Sequence, residues 1–177
     1  ITPTLFSAGS GVDPVFGQYT WEGWDSTITT AAEGIAANDF WTWGFTADST
    51  AVDLTDLSFA LQRSGNGPND VEVLASVNGG TAVSILSDSF GGSVDVETFN
   101  ADGIGSVPTL NVGDSVQFIL AGLNSNDTFG TLSLQTQDGS TSALTVSGNS
   151  VAVPEPASAS LLALGLAGVA LVRRRRS

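Results

Sequence analysis

Cysteine, methionine, histidine and lysine are all absent from this chain of 177 residues. Without cysteine, no disulfide can close a loop of the fold. Without histidine and cysteine, the chain lacks the two commonest zinc ligands and cannot form a Ser-His or Cys-His nucleophilic pair. We therefore expect a protein that is not an enzyme and needs no cofactor, with Ca²⁺ as the one metal its oxygen-rich turns could hold.

Basic residues are almost absent ahead of the C-terminus. Seventeen of the 18 acidic residues precede Pro154, and Arg63 is the sole base there, so this part carries a net charge of −16 against −13 for the whole chain. A surface of this sign repels nucleic acid and anionic lipid. We expect no nucleic-acid partner.

Signals for helices are scarce in residues 1–147, where Gly, Ser, Thr, Asp, Asn and Val are abundant. About 150 residues suffice for one domain with a full core. Nine or ten short runs of strand-forming residues are separated by Gly/Asn/Asp turns. The pattern predicts an all-β fold, an antiparallel two-sheet sandwich of jelly-roll type. We place a linker at residues 148–156 and a hydrophobic helix with an arginine cluster at 157–177.

Alternation of apolar residues defines the strands. In residues 40–45 one face carries only Trp41, Trp43 and Phe45, which we predict to be buried. Residues 28–37 are ambiguous: alanines allow a short helix, but Thr29, Thr30 and Gly34 weaken it, and we favour strand or irregular structure. The other predicted strands lie near Leu5 and Phe6 and at residues 15–20, 57–63, 71–77, 81–86, 94–99, 116–120, 131–136 and 144–147, with a hairpin turn at residues 78–80 and a loop at 100–108.

The C-terminal stretch has three parts in a fixed order. The prolines of Pro154-Glu155-Pro156 keep the backbone extended and leave the glutamate accessible. Residues 157–172 carry no charge, and Arg173, Arg174, Arg175 and Arg176 follow. As a helix, the 16 uncharged residues would rise about 24 Å, short of the roughly 30 Å bilayer core but adequate for a transient anchor with snorkelling arginines. The arginines stay cytoplasmic, so the acidic part faces outward.

This order resembles the PEP-CTERM sorting signal of Gram-negative bacteria. The resemblance implies a secreted precursor held transiently in the inner membrane, processed by an exosortase-type transpeptidase near Pro154-Glu155-Pro156, and released to the cell surface or extracellular matrix. Two alternatives remain: a C-terminal core helix of a soluble protein, or an uncleaved helix that packs with its copies through small residues such as Gly165 and Gly168. Ile1 in place of Met predicts a mature N-terminus from which an export signal has been removed.

A second resemblance covers residues 38–80. Asn38-Asp39-Phe40 precedes the aromatic strand, and an Arg-Ser-Gly segment with Gly-Pro lies between the next two strands. This part is similar to the β-sandwich ectodomain of many PEP-CTERM proteins, although Asn78 stands where Asp is more usual. The resemblance implies a fold and a destination, and no activity.

Arg63 is the first candidate site residue. Alternation puts its side chain on the same strand face as Leu57, Phe59 and Leu61, and a buried guanidinium needs carbonyl or carboxylate partners. We interpret it as a structural clamp that ties the loop at residues 64–69 to the sheet. The alternative is an anchor for an anionic ligand.

Two further candidate sites are less specific. Trp21 and Trp24, with polar neighbours, either pack in the core or stack on sugar rings. Calcium, which takes six to eight oxygen ligands, could use Asn100 with Asp102, or Asp127 with its asparagine neighbours, although neither turn matches a full calcium-loop pattern.

Two functions therefore stay open. The first is an exported surface or matrix structural protein, which could assemble into a layer or filament with its own copies. The second is a carbohydrate-binding or adhesion module for exopolysaccharide. A sandwich serves both.

Overall fold

The computed structural model describes residues 2–14, 20–92, 94–136 and 144–151. Most of the strand predicted at 15–20, the Pro-Glu-Pro motif and the predicted helix at 157–177 lie outside these residues. In chain order the elements are β1 (Thr2–Ala8), β2 (Asp13–Pro14), β3 (Thr20–Glu22), α1 (Ala31–Ala37), β4 (Trp41–Thr46), β5 (Ala51–Arg63), β6 (Asp70–Val77), β7 (Val83–Ser89), β8 (Glu97–Asp102), β9 (Ser115–Leu123), β10 (Leu132–Gln135) and β11 (Leu144–Val151).

Two antiparallel sheets enclose the core. The first has the strand order β1-β4-β9-β6-β7. The second is built around β5, which pairs with β8 along one edge and with β11 and then β10 along the other. Strands β3 and β2 continue that sheet beyond β10. The two-sheet antiparallel sandwich predicted from the sequence is confirmed.

Aromatic rings fill the space between the sheets. The predicted aromatic face of β4 is confirmed, since Trp41, Trp43 and Phe45 are all buried. The Trp43 ring stacks on Phe118 of β9 with centroids 5.7 Å apart, and it meets Phe59 of β5 edge-on at 6.4 Å. These contacts join strands of both sheets, so β4 forms part of the centre of the core.

The β6–β7 hairpin follows its sequence pattern. Asn78 and Gly79 both have positive φ, 52° and 68°, which is the backbone of a tight turn that matches the twist of the flanking strands. The partner strand β7 begins at Val83, two residues later than the predicted strand. The hairpin itself is confirmed.

Residues 31–37 form a helix, so the expectation of strand or irregular structure there was wrong. Thr30 and Glu33 make a reciprocal capping box: the Thr30 side chain accepts the N–H of Glu33, and the Glu33 carboxylate accepts the N–H of Thr30. Gly34 allows close approach to β9, because a Cβ there would lie 3.3 Å from that of Ala121. Asn38 ends the helix with φ 61°.

Several strand boundaries also differ from prediction; β5, for example, begins at Ala51, six residues before the predicted strand. Strand β8 runs from Glu97 to Asp102, three residues beyond the predicted 94–99, because its pairing with β5 extends to Asp56 opposite Asp102. Strand β11 continues to Val151, which pairs with Ala51. The first residues assigned to the linker at 148–156 therefore belong to the sandwich.

Candidate functional site

The end of β5 is held by Arg63. Its side chain is buried, and its Nη1 donates to the carbonyl oxygens of Gly67 and Pro68, both at 3.4 Å, and to Oδ1 of Asn69 at 2.6 Å. The guanidinium carbon lies 5.5 Å from the ring centroid of Phe90, within cation–π range. These contacts are of the kind that a structural clamp makes with the loop at residues 64–69.

A second loop, residues 124–131, locks onto the first. The amide nitrogen of Asn69 donates to the carbonyl oxygen of Asn124 at 2.5 Å and to Oδ1 of Asn126 at 3.1 Å. The carbonyl oxygen of Asn66 accepts from the hydroxyl of Ser125 at 3.0 Å and from the N–H of Asn126 at 3.1 Å. We call these two loops and Arg63 the asparagine-rich knot.

Glycine is required where the two loops of the knot touch. A Cβ at Gly130 would lie 2.1 Å from the carbonyl oxygen of Asn66, and one at Gly67 would lie 2.4 Å from that of Thr131. Both neighbours are backbone atoms and cannot swing aside. The knot can therefore form only because these two positions have no side chain.

The polar side chains of the knot form hydrogen bonds within the protein itself. The polar groups that could have met a ligand, the guanidinium of Arg63 and the amide of Asn69, hydrogen-bond to other parts of the same chain. This arrangement fixes loop geometry, and it leaves the guanidinium with little exposed surface for an anion.

Of the two interpretations left open for Trp21 and Trp24, the structure shows core packing. Trp24 is fully buried and Trp21 is 7% exposed. The rings of Trp24 and Trp21 pack on Trp41, with centroid distances of 5.4 Å and 4.8 Å respectively, and the Trp24 ring lies over Gly122 of β9. These tertiary contacts on β4 and β9 decide between alternatives that the polar local sequence had left open.

The calcium candidates lie in different parts of the fold. Asn100 and Asp102 are on β8, where Oδ1 of Asn100 accepts from the hydroxyl of Ser58 at 2.7 Å. Asp127 is in the knot, and its carboxylate accepts from Thr128 at 3.3 Å. Within residues 2–14, 20–92, 94–136 and 144–151, no three acidic side chains come together in one cluster. Calcium binding stays a prediction.

One buried carboxyl was missed by the sequence analysis. Asp39, which follows the cap of α1, is 1% exposed; its Oδ2 accepts the backbone N–H of Asp25 at 2.7 Å. Its Oδ1 is buried without a hydrogen-bond partner among the described residues. Burial raises the pKa of Asp39 to about 6, despite the opposing hydrogen bond. Nothing in the local sequence marks this position, because its hydrogen-bond partner Asp25 lies 14 residues earlier in the chain.

The fold and the knot together define an acidic, two-sheet β-sandwich module. Residues 152–176 of the chain match the family described as the PEP-CTERM protein-sorting motif. The chain thus carries the sorting signal of exosortase substrates, and this motif implies processing by an exosortase. The signal implies export and passage through the membrane.

Other comparisons give weaker likenesses. No curated protein matches the sequence. The chain is similar to the crystal structure of a Podospora anserina GH26-CBM35 β-(1,4)-mannanase, with 16% identity and a TM-score of 0.37, over 88% of this chain and 29% of that chain. It is also similar to a CBM4 structure, with 15% identity and a TM-score of 0.30, over 75% of this chain and 94% of that one. The chain therefore spans less than a third of the mannanase.

Among residues 2–14, 20–92, 94–136 and 144–151, no helix is long and apolar enough to cross a membrane. The uncharged segment at residues 157–172 lies outside these ranges.

Proposed function

We propose that this protein is an exported, non-enzymatic structural component of the cell surface or extracellular matrix. The observation that carries the proposal is the sorting motif at residues 152–176, joined directly to an acidic β-sandwich. Export supplies the location, and the sandwich supplies a stable unit that needs neither disulfide nor cofactor. The proposed processing point is Pro154-Glu155-Pro156, with Arg173 to Arg176 setting the orientation in the inner membrane.

Residue composition and internal hydrogen bonding both support a non-enzymatic role. The whole sequence contains no histidine and no cysteine. The buried arginine and the asparagines of the knot are used to hold loops together. Because these polar side chains form hydrogen bonds within the protein itself, they suit a structural role.

Strand edges bear on how copies would associate. Edge strand β1 contains Pro3, which has no N–H to donate, and its pairing with β4 is irregular between Thr4 and Ser7. Edge strand β8 begins with Glu97 and ends with Asp102. Proline, irregular pairing and charge all oppose the addition of a further strand. We therefore favour a discrete sandwich over a filament built through these two edges.

The residues named for the carbohydrate-binding alternative are not exposed. It depended on Trp21 and Trp24 as an exposed platform, and both rings are buried. Binding to isolated exopolysaccharide would have to use another surface.

The test is the intact mass of the protein in a host that contains an exosortase. Wild-type chains released from washed cells should end near Glu155 and be recovered with the extracellular matrix. A variant with Pro154→Ala, Glu155→Ala and Pro156→Ala should stay in the membrane fraction, whereas the control Pro108→Ala, at an exposed loop position, should be released like the wild type. Release of an intact tail from the wild type would contradict the proposal. Matrix retention that isolated exopolysaccharide competes away would favour the alternative.

A further inference from the structure

The sandwich is open between two edge strands. A groove of about 710 Å³ lies between β1 of the first sheet and β11 of the second. Its apolar walls are formed by Phe6, Trp43, Phe45, Val52, Leu54, Leu134, Leu144 and Val146. The volume is typical of pockets that bury a drug-sized ligand, so there is room for several apolar side chains.

The walls of this β1–β11 groove show that the core is incompletely covered there. Trp43 and Phe45 are 7% exposed, whereas Phe6, Leu144 and Val146 are only partly buried. The indole N–H of Trp43 is buried without a hydrogen-bond partner among the described residues. Apolar surface left in water costs about 25 cal/mol per Å², so a cover over the groove would stabilise the protein.

Of the two edge strands that border the groove, β11 is less protected against the approach of another segment. Strand β11 carries no charged residue and no proline from Leu144 to Val151. In contrast, β1 has Pro3 and β8 has Glu97 and Asp102. An apolar segment can therefore approach from the β11 side without burying a charge.

The chain itself supplies a segment of suitable chemistry. Residues 157–172 are uncharged and rich in leucine and alanine, and they begin six residues after Val151, the end of the strand that lines the groove. Six extended residues span up to roughly 20 Å, enough to turn back along β11. The segment at residues 157–172 is therefore both close enough to reach the groove and apolar enough to bind there.

Charge also favours this occupant over a second sandwich. Residues 1–153 carry a net charge of −16, so two copies repel each other, whereas Arg173 to Arg176 bring four positive charges next to the apolar segment. Asp48 is the acidic residue that lines the groove.

We propose that, in the full chain in water, part of the segment at residues 157–172 folds back into the β1–β11 groove of its own sandwich. Docking there shields the segment from water until a bilayer offers a better environment. Removal of the tail at the sorting motif then leaves the groove open in the processed protein. This inference concerns the precursor and does not depend on the structural role proposed above.

The absence of cysteine from the chain permits a clean crosslinking test. One cysteine replaces Ala167 in the tail, and the second replaces either Ser150, which lines the groove opposite Val52, or Asn149, an exposed neighbour that pairs with Asp53 and does not line it. Both strand positions are a similar number of residues from Ala167, so simple tethering affects both variants alike. Disulfide formation is followed by gel mobility and intact mass on the full chain in dilute aqueous buffer, with and without dodecyl maltoside micelles.

Docking predicts that the Ser150→Cys pair forms an intramolecular disulfide about tenfold faster than the Asn149→Cys pair, because docking raises the effective concentration at one site. Micelles should abolish the difference by taking up the tail. Adding Val146→Asp to the Ser150→Cys pair should also abolish it, and circular dichroism would show that this variant is folded. Equal rates for the two pairs in water, or disulfides formed only between chains, would overturn the proposal.

Discussion

Nη1 of Arg63 donates a hydrogen bond of 2.6 Å to Oδ1 of Asn69, six residues further along the chain. The bond joins the end of β5 to the start of β6 across the intervening loop. The amide nitrogen of the same asparagine reaches the carbonyl oxygen of Asn124 in the second loop of the knot. One side chain thus connects a buried cation to two loops.

We expect Arg63 and Asn69 to be strongly coupled in stability. A hydrogen bond to a charged group contributes about 1.5–3 kcal/mol, so the cycle of Arg63→Met, Asn69→Ala and the double variant should give a coupling energy of about 2 kcal/mol. Urea unfolding measures it. A matched control cycle combines Gln62→Ala with Asn69→Ala. Its two effects should be additive, because the Gln62 side chain donates to the carbonyl oxygen of Val94. An additive Arg63–Asn69 cycle would show that this bond adds little to stability.

Gly130→Ala should destabilise the protein by about 3 kcal/mol, at the upper end of what overpacking costs. The added Cβ would lie 2.1 Å from the carbonyl oxygen of Asn66, so one of the two loops must move. Gly65→Ala is the matched control, because a Cβ there meets nothing within 4 Å and its φ is not positive. Its effect should be within about 0.5 kcal/mol by the same urea measurement. Equal effects at the two glycines would contradict the close packing of the loops.

Local alternation was enough to predict much of the sandwich. The aromatic face of β4 and the hairpin at Asn78 and Gly79 could be derived because period-two patterning and turn residues act within a few positions. Pairing beyond neighbours could not be derived in this way. The division of one edge of β5 between β10 and β11 depends on contacts far apart in sequence.

The knot was foreseen only in part. Arg63 stood out as the sole base of the acidic region, and its position in an alternating strand indicated burial. The partners of Asn66 and Asn69 on the loop at 124–131 gave no signal, because Asn and Ser in such a stretch also suit an ordinary turn. For Trp21 and Trp24, the polar neighbours left core packing and exposure both open, and contacts with Trp41 and Gly122 decided the outcome.

Helix α1 shows a signal that was present and misread. Thr30 was counted against the helix by propensity, yet it is the N-cap and pairs with Glu33. We expect Thr30→Ala to cost about 1 kcal/mol, because the N–H of Glu33 loses its acceptor, whereas Thr30→Ser should be close to neutral. Hydrogen exchange of the α1 amides measures the local effect. Faster exchange in the serine variant, at the level of the alanine variant, would mean that the cap does not hold the helix.

The buried carboxyl of Asp39 should make stability depend on pH between about 4 and 6. Its pKa is about 6 in the folded protein, against 3.8 as the ordinary value, because burial disfavours its charged form. The folded state therefore holds a proton that the unfolded state releases in this range, and stability falls as pH rises from 3.8 to 6. A shift of about two units corresponds to roughly 3 kcal/mol.

Asp39→Asn isolates this contribution. An amide oxygen still accepts the N–H of Asp25, and the buried charge is gone, so the variant should lose the decline between pH 4 and 6 and be more stable than the wild type at pH 7. The carboxyls of Asp25, Glu33 and Asp114 have lowered pKa values, because hydrogen bonds favour their charged forms, so their contributions are lost as pH falls below the ordinary values, 3.8 for the two aspartates and 4.5 for Glu33, and they are common to both proteins. Urea unfolding of both proteins at pH 4, 5, 6 and 7 checks the expectation. Parallel curves for the two proteins would mean that Asp39 is not the group that titrates, and that repulsion among the remaining surface carboxylates sets the pH dependence.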